Sequence, residues 1–271
     1  MKPLITLIGC GKMGSAMLQG WLADDRLDAD FAIIEPMSGH LGWTRDFPNV
    51  QIHADTRQAA AAGRSACMIV LAVKPQMMDE AIAGLPGLVG PETAFLSIAA
   101  GITTDWFRQR LGAEATVLRS MPNTPAAVGK GVTALFAGGA PDDVKVLAVT
   151  LLSAIGGVVE LADEGLMDAV TAVSGSGPAY VFLLAEVMTA AGIDAGLPPD
   201  LAKQLAEATV SGAGALIEKS DEAPDQLRVN VTSKGGTTAA ALAVLMADDG
   251  MKPLLRRAVL AARDRSIELA G

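Results

Sequence analysis

The run Leu4 to Ile8 ends in Gly9-Cys10-Gly11-Lys12-Met13-Gly14, and a helical pattern from Lys12 to Ala23 follows. A GxGxxG turn between a strand and a helix leaves few folds open. Gly9 permits the tight turn, Gly11 lets a pyrophosphate approach the backbone, and Gly14 lets the helix pack close to the strand. The whole turn, Gly9, Cys10, Gly11, Lys12, Met13 and Gly14, is therefore the expected dinucleotide contact.

The pattern after it agrees. Strand candidates at 31–34, 67–73, 94–98 and 116–119 alternate with helical segments, which argues for βαβ units and a parallel, doubly wound sheet. Segments 132–137 and 158–161 are expected to finish the sheet around a helix at 141–153. From Asp163 onward no convincing strand occurs; helices punctuated by Gly-Leu-Pro-Pro and Asp-Asp-Gly-Met-Lys-Pro fill the remainder. The expected fold is α/β plus all-α: a Rossmann-type domain at 1–162 and a helical substrate-binding and dimerisation domain at 163–271. Several of its helices, 239–246 among them, look apolar on more than one face, which burial against a second subunit or a larger buried core within one subunit would explain.

Composition narrows the partners. A net charge of −9 with no basic block disfavours nucleic acid and an acidic membrane surface. No stretch reads as a membrane span or a signal peptide. Two cysteines without a CxxC or Cys/His cluster disfavour a metal site and a disulfide framework, so a reduced cytoplasmic protein is expected.

Three further strand ends belong on the ligand side of such a sheet. Glu35 ends the second strand about 20 residues beyond Gly14, where a carboxylate meets the ribose 2′-hydroxyl of NADH and repels the 2′-phosphate of NADPH. Ala72, Val73, Lys74 and Pro75 end the 67–73 strand, and Ala99, Ala100 and Gly101 end the 94–98 strand.

A second glycine cluster lies near the C-terminus, in Val231-Thr232-Ser233-Lys234-Gly235-Gly236-Thr237-Thr238, just before an Ala-rich helical run. Unpaired N–H groups, the positive end of the helix dipole and several hydroxyls can hold a carboxylate there.

These motifs, with Arg119-Ser120-Met121-Pro122-Asn123-Thr124-Pro125 and Ser174-Gly175-Ser176-Gly177-Pro178-Ala179-Tyr180, make the chain similar to the pyrroline-5-carboxylate reductase family nearly end to end. The resemblance implies reduction of 1-pyrroline-5-carboxylate to proline by NADPH or NADH. It also implies a homodimer whose helical domains interlock so that each active site uses both subunits, with larger rings such as decamers in the family. Two departures stand out. Lys234 occupies a usual proline position, and Glu35 stands where Ser or Asn is frequent and NADPH is commonly preferred.

The only histidines, His40 and His53, fall in the adenosine half, so a histidine general acid is not expected. The substrate carboxylate is assigned to Ser233, Gly235, Gly236 and Thr237. Thr238 is assigned to the ring nitrogen as the catalytic residue, with Asn123 and Ser176 bordering the pocket. One rival is a related imine or β-hydroxyacid reductase. That group commonly carries a catalytic lysine on the long helix after the nucleotide domain, and Asp163 to Tyr180 contains none. The other rival, a non-catalytic nucleotide sensor, would need no second cradle.

Overall fold

The computed structural model describes residues 2–270; Met1 and Gly271, the outer ends of the two expected domains, lie outside the described residues. By contacts the chain divides into two units, Met1–Gly175 with Arg263–Gly271, and Ser176–Ala262. The expected boundary after residue 162 falls earlier, at the end of the sheet.

In the first unit eight strands form one sheet: β1 (Leu4–Ile8), β2 (Asp30–Ile34), β3 (Val50–His53), β4 (Met68–Leu71), β5 (Ala94–Ser97), β6 (Val117–Met121), β7 (Gly131–Phe136) and β8 (Gly156–Glu160). Their order is β3-β2-β1-β4-β5-β6-β7-β8. β1 to β6 run parallel, and β7 turns antiparallel to β6 before β8 pairs parallel with it. The sequence reading missed β3, whose residues Val50-Gln51-Ile52-His53 are half-buried or exposed at the sheet edge and so carry no continuous apolar run.

The helices of this unit are α1 (Lys12–Ala23), α2 (Thr56–Ala60), α3 (Met78–Ala83), α4 (Thr104–Leu111), α5 (Asp142–Ser153) and α6 (Met167–Val170). Both faces of the central strands are covered, so β4 reads Met-Ile-Val-Leu without a polar break. Alternation persists beneath that uniformity. Leu7, Ile33 and Val70 join the cluster of α1 and α5, while Ile8, Ile34 and Leu71 join the cluster of α2, α3 and α4. Trp21 ties the first cluster together. It stacks on Phe31 at 5.6 Å, and its Nε1 donates to the Leu151 carbonyl at 2.9 Å. Burying side chains of this size contributes roughly 1.5–3 kcal/mol each.

One buried ion pair fastens the far side of the sheet. Arg119 on β6, with a side chain only 6% exposed, donates to Glu164 Oε1 at 2.6 Å. The Thr104 backbone N–H and hydroxyl, at the start of α4, donate to the same carboxylate at 2.8 and 2.6 Å. Further along, Asp168 of α6 accepts a hydrogen bond from Ser266 at 2.7 Å.

The second unit holds α7 (Gly177–Asp194), α8 (Pro199–Lys219), α9 (Pro224–Asn230), α10 (Thr237–Leu245) and the first part of α11 (Met251–Ala270). α7 and α8 form a hairpin turned at Gly196, whose φ is +100°. Their closest approach is between small residues: a Cβ on Gly192 would lie 3.2 Å from that of Ala202. Only Ala202 and Ala206 of α8 are buried, and no residue of α7 is. Phe182, Leu183, Leu216, Ile217 and Leu254 are all more than half exposed.

The helical run Glu164–Asp194 spans 31 residues, and a window of it with mean hydropathy 1.3 is long and apolar enough to cross a membrane by length and composition alone. The sequence reads as a long helix over 163–191 interrupted by the patch Ser174-Gly175-Ser176-Gly177-Pro178; the backbone bridges that patch with a π-helical turn at Thr171–Gly175.

Burial pushes the Glu164 carboxyl up, but the hydrogen bonds from Thr104 and Arg119 outweigh it and hold the group below the ordinary glutamate value. Its contribution to stability is therefore present above the unfolded-state pKa and lost as pH falls through the lower folded value. Glu164→Ala strands the buried Arg119 and is expected to cost roughly 3 kcal/mol at neutral pH. In urea unfolding at a series of pH values that deficit narrows below about pH 4. A deficit constant with pH would show that the ion pair is not its source.

Candidate active site

The strand register builds the nucleotide end. Ile8 of β1 stands beside Ile34 of β2 and Leu71 of β4, so Gly9, Glu35 and Ala72 emerge side by side. Gly9 N–H donates to the Ile34 carbonyl at 3.0 Å and Ala72 N–H to the Ile8 carbonyl at 2.8 Å. Gly9 turns with φ +87°, and a Cβ on it would lie 2.8 Å from the Ala72 carbonyl oxygen. A Cβ on Gly14 would overlap the Gly9 carbonyl oxygen, whereas one on Gly11 would meet nothing within 4 Å. Gly11 caps α1 without a side-chain hydrogen bond, which leaves first-turn N–H groups facing open space. This turn fits a dinucleotide pyrophosphate: the glycines that must pack do, and the one that must stay bare is open.

Both Glu35 oxygens are engaged by backbone. Oε2 accepts from the Cys10 N–H at 2.8 Å and Oε1 from the Met37 N–H at 3.0 Å. A carboxylate offers about four acceptor positions, so two remain. His40 lies across the same turn, with Nε2 2.7 Å from the Cys10 carbonyl oxygen and Nδ1 3.0 Å from that of Met37. Burial pushes the Cys10 thiol up, which keeps it protonated and makes it a wall rather than a nucleophile.

Gly9, Gly11, Glu35, Ala72, Val73 and Lys74 line one cavity of about 500 Å³. Cys10, Lys12, Met13 and Gly14 lie in the adjoining turn, Pro75 opens the 3-10 turn Pro75–Met77, and Ala99, Ala100 and Gly101 follow β5; none of these lines that cavity. Met37, Asp55 and Glu80 do line it, and the sequence reading passed over them. Asp55 had a usable signal: it caps α2 by accepting the Gln58 N–H at 2.9 Å, and Asp-Thr before a short helix marks the end of β3. A larger cavity, about 910 Å³, adjoins Cys67, Thr93 and Thr116 at the amino ends of β4 to β6. Ligands in such sheets bind beyond the carboxyl ends, so the smaller cavity is the candidate.

In the second unit Gly235 turns with φ +71°, and Gly236 N–H closes the loop onto the Ser233 carbonyl at 3.0 Å. A Cβ on Gly236 would overlap Ser233 Oγ, so the serine hydroxyl would have to swing aside to admit one. Gly236 caps α10 with no side-chain hydrogen bond, and Ala240 N–H is the first to return, to the Gly236 carbonyl. The N–H groups of Thr237 and Thr238 therefore stay unpaired. No hydrogen bond among the described residues engages the Ser233, Thr237 or Thr238 hydroxyls. The contrast with Thr189 and Thr209 is instructive. Those donate to the carbonyl four residues back, at 2.9 and 2.7 Å, but Thr238 sits in the first turn, where no such helical carbonyl exists.

Asn123 belongs to the first unit, and Ser176 opens the second. The Asn123 amide is occupied within the first unit, accepting from the Val132 N–H at 2.9 Å and donating to Ser174 Oγ at 3.4 Å. Ser176 precedes α7, half-buried and without a capping bond.

Sheet, glycine turn and acid-bearing nucleotide pocket define a dinucleotide-dependent oxidoreductase. Residues 4–101 match the family model described as NADP oxidoreductase, coenzyme F420-dependent, and residues 164–269 that described as pyrroline-5-carboxylate reductase dimerisation. A pyrroline-5-carboxylate reductase of Synechocystis is 39% identical, covering 99% of both chains, and that of Pseudomonas aeruginosa 38%, covering 99% of this chain and 97% of its own. The structure of the Coxiella burnetii pyrroline-5-carboxylate reductase superposes with TM-score 0.90 at 33% identity over 100% of both chains. A Plasmodium falciparum pyrroline carboxylate reductase with NADP bound superposes with TM-score 0.82 at 28% identity, over 100% of this chain and 98% of that one. The chain belongs to the pyrroline-5-carboxylate reductase family.

The glycine geometry separates packing from binding. Gly14→Ala should lower stability by roughly 1–3 kcal/mol in thermal unfolding, because α1 must move off the Gly9 carbonyl. Gly11→Ala should leave the melting curve unchanged yet weaken NADH binding in a fluorescence titration. Matching melts for the two variants would refute the assignment.

Proposed function

We propose that this protein is a pyrroline-5-carboxylate reductase, reducing the cyclic imine 1-pyrroline-5-carboxylate to proline with a nicotinamide cofactor. The observation that carries the reading is the pairing of two cradles in one chain: the open Gly11 turn, and the unpaired N–H and hydroxyl groups before α10. A bare nucleotide sensor has no use for the second.

The residues at the Gly9 turn would hold the cofactor, which when bound supplies the hydride. The chain's own work is binding, orientation and proton placement. The N–H groups of Gly236 and Thr237, with the Ser233 hydroxyl, bind the substrate carboxylate in a loop that Gly235 shapes. The Thr238 hydroxyl bonds the ring nitrogen, orienting the C=N bond and stabilising the amine as it forms. The imine carbon accepts hydride readily once its nitrogen is protonated, so a strong general acid is not required. Asn123 and Ser176 serve as supports of the site.

The cofactor preferred is NADH. Glu35 is held at the ribose position by two backbone N–H groups, and Asp55 and Glu80 line the same cavity against a single lysine, Lys74. A 2′-phosphate would enter a field of three carboxylates. The dimerisation model covers the apolar run 164–194, and a second copy accounts for the exposed faces of α7 and α8. Two free cysteines fit a cytoplasmic setting.

Loss of NADH absorbance on adding synthetic pyrroline-5-carboxylate tests the reaction. Thr238→Ala should cut kcat by about 10²-fold or more while leaving the NADH dissociation constant unchanged. Equal loss of both, or of neither, would remove Thr238 from its role. For the cofactor, direct titration should show NADH bound at least about tenfold tighter than NADPH, a difference of 1.4 kcal/mol. Glu35→Ser should erase that margin, and a wild-type preference for NADPH would overturn it.

A further inference from the structure

We infer that Lys234 is a substrate-recruiting and specificity-determining residue for an anionic imine, acting through its charge rather than through the loop's backbone. The inference rests on the reading of Ser233 to Thr238 as the substrate cradle.

Lys234 is exposed and lies between Ser233 and Gly235, in the loop that closes onto the N-terminus of α10. Lys2, Lys145 and Lys203 each meet a carboxylate within 4 Å, but Lys234 has no ionic partner among the described residues. Its charge is thus free for a ligand. Consecutive Cα atoms stand about 3.8 Å apart, so the Cα of Lys234 lies within about 8 Å of those of Ser233 and Gly236, inside one Debye length at 0.1 M salt.

The background makes that charge count. The protein carries a net charge of −9, the substrate bears a carboxylate, and the cofactor is an anion. An acidic protein slows the approach of an anion unless a local cation offsets the field. The cradle itself offers only neutral donors: backbone N–H groups and hydroxyls. Lys234 supplies the one full positive charge in the Val231 to Thr238 loop. A substrate that keeps its carboxylate gains from it; a neutral imine does not.

The test uses the full-length protein with synthetic pyrroline-5-carboxylate. Lys234→Ala should raise KM about three- to tenfold at low salt, with the loss in KM rather than kcat. The wild-type KM should climb with added NaCl, and that of Lys234→Ala should stay nearly flat. Lys234→Arg should restore both the low KM and its salt dependence, which a merely structural role would not require. Lys234→Pro, which stiffens the loop and removes the charge, should behave like Lys234→Ala. An unchanged KM in Lys234→Ala, or equal salt dependence in both proteins, overturns the inference while the reductase reading stands. Absence of turnover in the wild type overturns the reading and the inference with it.

Discussion

A side chain at Gly9 would press within 2.8 Å of the Ala72 carbonyl and 2.9 Å of Val73 Cγ1, because the ends of β1, β2 and β4 are held in one register. Much of the nucleotide end follows from this close approach. The turn must take the left-handed conformation, which directs the chain back over the sheet edge into α1. α1 then lies so near that Gly14 must also be bare. The first-turn N–H groups are left facing the only open side, beside Gly11. Glu35 completes the arrangement by accepting the Cys10 N–H. The carboxylate at the end of β2 is thereby fixed to the glycine turn at the end of β1.

The two units solve the burial problem differently. In the first, residues alternate between two clusters on opposite faces of the sheet, and the large apolar side chains of both are almost fully covered. In the second, the hairpin of α7 and α8 closes on small residues, and its larger side chains remain exposed. Small residues at the helix contact allow close backbone approach, which leaves Phe182, Leu183, Leu216 and Ile217 to be covered by something else. A dimerisation domain is built on that division of labour. It also explains why α7 is apolar nearly all round, a property that by composition alone resembles a membrane helix.

How legible each part was depends on whether its constraint is local. The glycine turn is a matter of backbone room, so Gly9, Gly11 and Gly14 announce it directly. β4 is readable because burial on both faces leaves no polar residue to confuse it. β3 is not, because an edge strand is exposed on one side and its Gln51 and His53 look like loop. Asp55 and Glu80 were invisible as pocket residues for a related reason: they reach the nucleotide cavity through strand order and helix placement, which no short motif encodes. Asn123 carries a structural bond that no motif encodes. The residues around it mark the family, but its amide is engaged in tying β7 to the π-helical turn, a contact between positions far apart in sequence.

Both histidines belong to the first unit, and the α10 cradle to the second. His40 bridges two carbonyl oxygens at the nucleotide turn, and His53 lines a separate small cavity beside β3. A hydroxyl at a helix N-terminus is a weak acid, yet an imine that binds protonated needs only to be held and kept from losing its proton. Unpaired N–H groups at the positive end of α10 favour the carboxylate but disfavour a nearby cation. In the proposed substrate the carboxylate is borne on the carbon next to the ring nitrogen, so both groups meet the first turn of α10 together, and the carboxylate's own charge offsets that of the protonated nitrogen beside it.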